Sequence, residues 1–415
     1  MNAKLLMALA LTVLAACNTL PTVEDGKVEA TKLAAGTPLM PGNKVVLLQN
    51  GAATYRAMLS AIAGATDHVN MESYIFEDDE VGQKFADALL AKQAQGVQVS
   101  LIYDSVGSSG STKEFFKRLT DAGVQVLEFN PVNPLAGNKS LYGLANRDHR
   151  KLLIVDGKTA FVGGVNISGV YSSGSSALQS KDAAPAKPWR DTHLQVQGPV
   201  VGDFQKLFMK TWESQKGAPM KPRAFYPPTA PGGPETVRAV GSSPEDPYSL
   251  IYATLVSAID AAERTVRITN AYFVPDPQLL ESLTDAAARG VDVRLVLPGT
   301  SDNWMVQSAG RSHYAHLLKS GVKIYERRGP LLHAKTALID GDWATVGSAN
   351  LDRRSFLHNQ EINAVVLGPE FGAQMQEMFD ADIAVSDAIT AESWAARSLG
   401  DRVKELSARA WAYWL

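Results

Sequence analysis

Cysteine is almost missing. The 415-residue chain has one, Cys17, so no disulfide can close within it and a disulfide-stapled scaffold is excluded. An excess of either charge is missing too: 40 Lys and Arg against 43 Asp and Glu leave a formal net charge of −3. That excludes a global basic field of the kind that favours nucleic acid, though not a local basic cleft. The 7 histidines show no zinc-ligand spacing, and no cluster of Asp, Glu and His suits a divalent ion, so neither a metal nor a cofactor is expected. The N-terminal apolar run, Leu5 to Ala16, is too short to span about 30 Å of hydrocarbon, but it suits the core of a signal peptide.

What is present is ordinary in bulk. Hydrophobic residues make up 45% and charged residues 20%, a soluble globular composition of a length suited to two or three domains. Residues 14–17, Leu-Ala-Ala-Cys, resemble a bacterial lipobox. The resemblance implies a signal peptide at 1–16, lipidation of Cys17 and a tether over 17–42. Asn18 rather than Asp after that cysteine implies sorting towards the outer membrane. The expected location is the cell envelope, lipid-anchored on the periplasmic side of the outer membrane.

From residue 43 the hydrophobic pattern becomes regular. Strand-like runs at Lys44–Gln49, His68–Phe76 and Val97–Asp104 alternate with helical runs, the second ending at Gly96. Strand, helix, strand in this order predicts βαβ units and a parallel or mixed sheet. The second half repeats the series. Tyr74 recurs as Tyr272, Gly96 as Gly290, Gly123 as Gly321 and His149 as His333, at offsets of 198, 194, 198 and 184. Collinear offsets of this kind mark an internal duplication of about 150 residues. The expected fold is therefore α/β: two duplicated domains, each a mixed sheet flanked by helices, related by a pseudo-twofold axis. The expected boundaries are 43–215, a Pro/Gly-rich linker at 216–240, a second domain at 241–388 and an amphipathic helix at 389–415. That last helix carries Leu399, Val403, Leu406, Ala410 and Trp414 on one stripe, with Trp and Tyr types favoured at membrane interfaces. Packing of that stripe on its own domain is the competing expectation. A polar insert, 168–188, has no counterpart in the second half.

Chemistry concentrates in two related stretches, HRKLLIVDGKTAFVGGVN (149–166) and HAKTALIDGDWATVGSAN (333–350). A histidine and a lysine two apart share a face only if the backbone is extended. The apolar runs around Asp156-Gly157 and Asp340-Gly341 predict hairpins. A two-residue turn would pair 155 with 158 and 339 with 342, setting His149 opposite Gly164 and His333 opposite Ser348, with Asn166 and Asn350 alongside. Each open end would then gather an imidazole, an ammonium and neutral donors, a site for an anion beside a nucleophile or proton donor. Asp156 and Asp340 read as residues that tie the turns rather than handle protons.

This doubled His-x-Lys-x4-Asp pattern, with Gly-Gly or Gly-Ser and x-Asn downstream, resembles the phospholipase D superfamily. The finer stretches at 72–85, 101–108, 189–201, 270–276 and 359–366 are similar to its bacterial cardiolipin synthase branch. The resemblance covers nearly all of 43–385 and implies two phospholipase D-like domains sharing one catalytic centre. It implies His149 as nucleophile and His333 as acid, with carboxylates Asp191 and Glu361 orienting them. It also implies Lys151, Lys335, Asn166, Asn350 and Ser348 on the phosphate oxygens. The implied reaction is metal-independent transfer of a phosphatidyl group through a phosphohistidine. The implied substrates are phosphatidylglycerol and phosphatidylethanolamine, the expected setting is membrane-associated, and nucleic acid is disfavoured. A phospholipase D hydrolase releasing phosphatidic acid, or a secreted nuclease of the superfamily, is the alternative. Which carboxylate serves which histidine is left open.

Overall fold

The computed structural model describes residues 38–132, 145–173 and 187–409. The expected signal peptide, Cys17 and most of the expected tether lie outside them, as do most of the 168–188 insert and the aromatic end, 410–415.

The first half contributes β1 (Met40–Gln49), β2 (His68–Ser73), β3 (Gln98–Asp104), β4 (Gln125–Phe129), β5 (Arg147–Asp148), β6 (Lys151–Val155), β7 (Thr159–Gly163) and β8 (Thr192–Gln197). The second contributes β9 (Glu235–Ser242), β10 (Thr265–Asn270), β11 (Asp292–Pro298), β12 (Lys323–Arg327), β13 (Lys335–Ile339), β14 (Trp343–Gly347), β15 (Asn359–Leu367) and β16 (Ser386–Ile389). One continuous mixed sheet joins them in the order β16-β12-β11-β10-β13-β14-β15-β9-β1-β8-β7-β6-β2-β3-β4. Outward from the β9–β1 junction the two sides match strand for strand. The series β8-β7-β6-β2-β3-β4 repeats as β15-β14-β13-β10-β11-β12, which is the duplication expressed as topology.

Local chemistry explains the elements. β2, β3 and β4 run parallel, as do β10, β11 and β12, and parallel neighbours need crossover helices. The helix Glu80–Ala94 supplies one; Asp79 caps it by accepting from the Val81 and Gly82 amides, and Gly96 leaves it at φ +86. Its counterpart, Pro277–Ala288, is capped by Asp276, with Gly290 at φ +92. Both glycines hold a left-handed conformation open to residues without a Cβ. β6 and β13 are buried along their whole length, consistent with unbroken apolar runs covered on both faces.

The halves share a core. Val162, Leu194, Phe204 and Phe208 pack in one buried cluster with Val346, Ile362, Phe371 and Met375. Phe204, Phe208 and Phe371 are fully buried, each worth roughly 1.5–3 kcal/mol of transfer free energy. They sit on the helices Val201–Ser214 and Pro369–Ala384, which follow β8 and β15.

The hairpin register departs from expectation by one residue. Val155 pairs with Thr159 and Leu152 with Val162; Ile339 pairs with Trp343 and Thr336 with Val346. Two consecutive left-handed residues make each turn, Asp156 (φ 54) with Gly157 (φ 62) and Asp340 (φ 52) with Gly341 (φ 84). Lys158 and Asp342 then enter as an extra residue before the ladder resumes. Because strand side chains alternate faces, one residue moves Ser348 off the face it was expected to share with His333.

Candidate active site

The two histidine-bearing segments each pair with the other half of the chain. β5 lies parallel to β15, and the His149 amide donates to the Gln360 carbonyl at 3.0 Å. In the mirror-related place, Arg190 bridges to Leu332, and the His333 amide donates to the Arg190 carbonyl at 2.8 Å. The residue after each of these carbonyls is an acid. Crossing backbones therefore deliver each carboxylate to the opposite half's imidazole. His149 Nδ1 lies 2.9 and 3.0 Å from the two Glu361 oxygens, and His333 Nδ1 lies 2.7 Å from Asp191 Oδ2. With Nδ1 held this way, Nε2 is the ring nitrogen left for substrate.

Both imidazoles line one cavity of about 300 Å³, together with Asn166, Asn350, Arg147, Arg354, Asp302 and Asp352. The remaining candidates occupy other positions. Lys151 and Lys335 stand behind the histidines, each donating to its own histidine's carbonyl. Neither lysine is among the residues that line the cavity. Asn166 donates to the Tyr171 hydroxyl at 2.8 Å and accepts from the Ile75 amide at 3.1 Å. The Asn350 side-chain amide oxygen, Oδ1, is buried and has no hydrogen-bond partner among the described residues. Ser348 is corrected. Its hydroxyl donates to Glu361 Oε2 and accepts from the Ile362 amide at 2.9 Å, so it steadies a carboxylate and does not face the cavity. Its counterpart, Gly164, has no room for a side chain: a Cβ there would lie 2.2 Å from Asp191 Oδ1. The pairs Glu361–Ser348 and Asp191–Gly164 thus fill equivalent spaces differently.

Asp156 accepts from the Thr66, Asp67 and His68 amides at 2.8–3.0 Å, and Asp340 from those of Glu263, Arg264 and Thr265 at 2.8–2.9 Å. These bonds tie each turn to the loop before β2 or β10. They lie at the far end of the hairpin from the histidines.

Burial governs the electrostatics. It pushes the His149 imidazole down to about 4, against the pull of Glu361 and with the help of Lys151. Burial and Lys335 lower His333 in the same way, with Asp191 opposing. Lys151 is brought down to about 7 and Lys335 to about 8, again chiefly by burial. Burial alone would raise Glu361, but His149, Lys151 and Ser348 outweigh it and hold the carboxyl at about 2. Asp191 is likewise lowered, as His333 and Lys335 overcome its burial. At neutral pH charged carboxylates stand behind neutral imidazoles. Among the described residues no three His, Cys, Asp or Glu side chains group to hold a metal ion.

Several wall residues are not legible from motif spacing. Tyr74 stands edge-on to His149 at 4.9 Å between centroids, with the Lys151 ammonium 5.2 Å from its ring. Tyr272 stands edge-on to His333 at 6.3 Å, and Tyr171 and Trp189 flank the same imidazole. Tyr74 and Tyr272 could have been found, since they are the duplicated tyrosines just beyond β2 and β10. Tyr171 and Trp189 have no such signal.

Comparison with known proteins identifies the family. A family model described as the phospholipase D-like domain of cardiolipin synthase matches twice, at residues 58–174 and 255–383. The chain belongs to that family. This cardiolipin synthase-family chain is 34% identical over 365 residues to cardiolipin synthase 2 of Bacillus cereus, covering 87% of this chain and 69% of that one. It is 35% identical over 356 residues to cardiolipin synthase A of Pseudomonas aeruginosa, covering 86% and 70%. Among solved structures, phosphatidylserine synthase of Haemophilus influenzae shares the fold at a TM-score of 0.65 and 13% identity, over 92% of this chain and 96% of that one. The outer-membrane lipoprotein placement expected from Leu14–Cys17 and Asn18 does not stand. The relatives are cardiolipin synthases and lend it no support, and Cys17 is outside the described residues. No helix among those residues is long and apolar enough to cross a membrane.

Proposed function

We propose that the protein is a phosphatidyltransferase of the cardiolipin synthase type, acting through a phosphohistidine. One observation carries the reading: two imidazoles, each oriented by a carboxylate from the other half, line a single cavity. Neutral His149 presents Nε2 to the phosphorus of a phospholipid diester. His333 protonates the departing alcohol oxygen as the P–O bond breaks and the N–P bond forms. The site supplies its own route to an acidic His333. A phosphodiester monoanion entering the cavity stabilises a cation beside it, which raises the proton affinity of an imidazole that burial had lowered. After the headgroup leaves, neutral His333 takes the proton of an incoming lipid hydroxyl, and that oxygen displaces His149. Two in-line displacements retain configuration at phosphorus. Lys151 and Lys335, behind the rings, add positive potential without occupying the substrate's space, and Asn350 offers an amide to the phosphoryl oxygens.

Purified protein given phosphatidylglycerol vesicles, with and without phosphatidylethanolamine, should yield cardiolipin by mass spectrometry. His149→Ala and His333→Ala should each abolish it. Phosphatidic acid as the sole product would replace the transferase with a hydrolase that uses water as acceptor. Plasmid nicking that is lost in His333→Ala, without lipid turnover, would replace it with a nuclease.

A further inference from the structure

The helix Leu399–Arg409 has two unlike faces. Ala408 and Glu405 are buried. Ala408 packs with Val274, Val306 and Ala309, and Glu405 is bonded to Arg397 at 3.0–3.1 Å. Directly opposite, Leu399, Val403 and Leu406 are 78%, 67% and 71% exposed. Their i, i+4, i+7 spacing makes one unbroken apolar stripe facing away from the protein. Leucines singly exposed are unremarkable; three in line on a helix packed by its other face are a surface built to meet something.

We propose that this stripe is where the enzyme seats itself on an anionic phospholipid bilayer. Three features select a lipid surface as the occupant. First, the helix lies one element from the cavity: Val306, on the neighbouring helix Trp304–Arg311, both lines the cavity and packs against Ala408. Trp304 at that helix's start, next to the cavity-lining Asn303, is 59% exposed. Second, the exposed charges flanking the stripe are Arg402 and Arg409, while Lys404 and Asp401 turn to the groove against the helix Trp304–Arg311; the flanking charge is cationic, which suits anionic headgroups. Third, the residues that follow, Ala-Trp-Ala-Tyr-Trp-Leu, carry no charge and three aromatics of the interfacial kind. Seated this way, the enzyme would bring its cavity to the headgroup layer. The inference deepens the phospholipid reading of the cavity and rests on it.

The test compares wild type with the combined variant Leu399→Gln, Val403→Gln, Leu406→Gln, and with Leu406→Asp alone in case the triple change impairs folding. Each protein is co-sedimented with phosphatidylglycerol vesicles, then assayed on a short-chain phosphatidylglycerol below its micelle concentration. The expected result is binding weakened about tenfold or more, turnover on vesicles reduced in step, and turnover of the monomeric lipid unchanged. Undiminished vesicle binding by variants that still turn over monomeric lipid would overturn the proposal. A wild-type dimer by light scattering that the variants reduce to monomer would also overturn it, in favour of a second copy as occupant. Loss of the catalytic reading is separate: no protein would turn over monomeric lipid, whatever the sedimentation showed.

Discussion

Glu361→Gln isolates the crossing of halves at its sharpest point. Glu361 is fully buried. It accepts a hydrogen bond from His149 Nδ1–H at 2.9–3.0 Å and another from Ser348, and is ionised down to about pH 2. Glutamine keeps the volume and removes the charge. Two effects follow. The charge-assisted bond that fixes the imidazole tautomer is lost, and the amide can turn its NH2 towards Nδ1, favouring the wrong tautomer. A hydrogen bond to a charged group is worth about 1.5–3 kcal/mol, and the tautomer adds to it. A loss of about 2–4 kcal/mol corresponds to ~30–1,000-fold in kcat. Glu361 is not among the cavity-lining residues, so KM should hardly move. The pH profile gives a second readout. With His149 at about 4, kcat/KM on a monomeric diester should fall on the acid side near that pH. The Glu361 charge raises the imidazole's proton affinity, so removing it must move this limb lower still. A variant with wild-type kcat, or one whose acid limb moves up, would refute the cross-half assignment.

Gly164→Ala should cut kcat about 100-fold, because the new Cβ would meet Asp191 Oδ1 at 2.2 Å and push the carboxylate off His333. Ser348→Gly should cost only about tenfold, since it removes one bond to Glu361 and leaves the backbone in place. Asp156→Ala and Asp340→Ala should each lower unfolding free energy by about 1–2 kcal/mol in urea titration and spare kcat, because their amide partners lie at the turn end of the hairpin. Stability should rise with pH above about 7 and 8, because the unfolded chain keeps the protons that buried Lys151 and Lys335 release. Between about pH 4 and 6.5 two cavity groups oppose each other: His149 refuses protons that the unfolded chain binds, while Asp352, pushed up to about 7 by burial, keeps one that the unfolded chain gives up. A melting temperature that falls between about pH 8 and 10 would contradict the burial of the lysines.

The duplicated sheet was legible because topology rides on hydrophobic period, and the second half repeats the first at near-constant offset. The continuity of the sheet was not. β1 and β9 meet edge to edge through Met40–Val237 and Asn43–Glu235, a pairing set by shape rather than pattern. The hairpins were legible as hairpins, but Asp-Gly was taken as a two-residue loop. Both copies insert one more residue, and only backbone angles reveal it. That single residue decides the place of Ser348, which explains why a side chain expected on the substrate instead braces a carboxylate. Tyr171, inside the insert absent from the second half, and Trp189, just after it, flank His333, and no repeat could flag them.

The carboxylates show why the duplication and the chemistry are one fact. On the proposed mechanism neither half contains a complete acid–base unit, since each imidazole takes its orienting charge from the other side. A buried, unpaired imidazole would sit further from usefulness still, its charged form penalised by burial and its tautomer unset. A buried, unpaired Asp191 or Glu361 would protonate rather than stay charged. Each half therefore carries a group that is poorly stabilised alone and well stabilised across the interface. The same contacts that assemble the cavity hold the halves together, through Arg190 to Asp382 at 2.7 Å and the paired strands β5 and β15. Weakening that interface should thus impair catalysis before it unfolds either half. Arg190→Ala would leave Asp382 without one of its two arginines, the other being Arg327 at 2.9 Å. It would also loosen the segment whose carbonyl positions His333, so kcat should drop while most of the sheet's melting transition is kept.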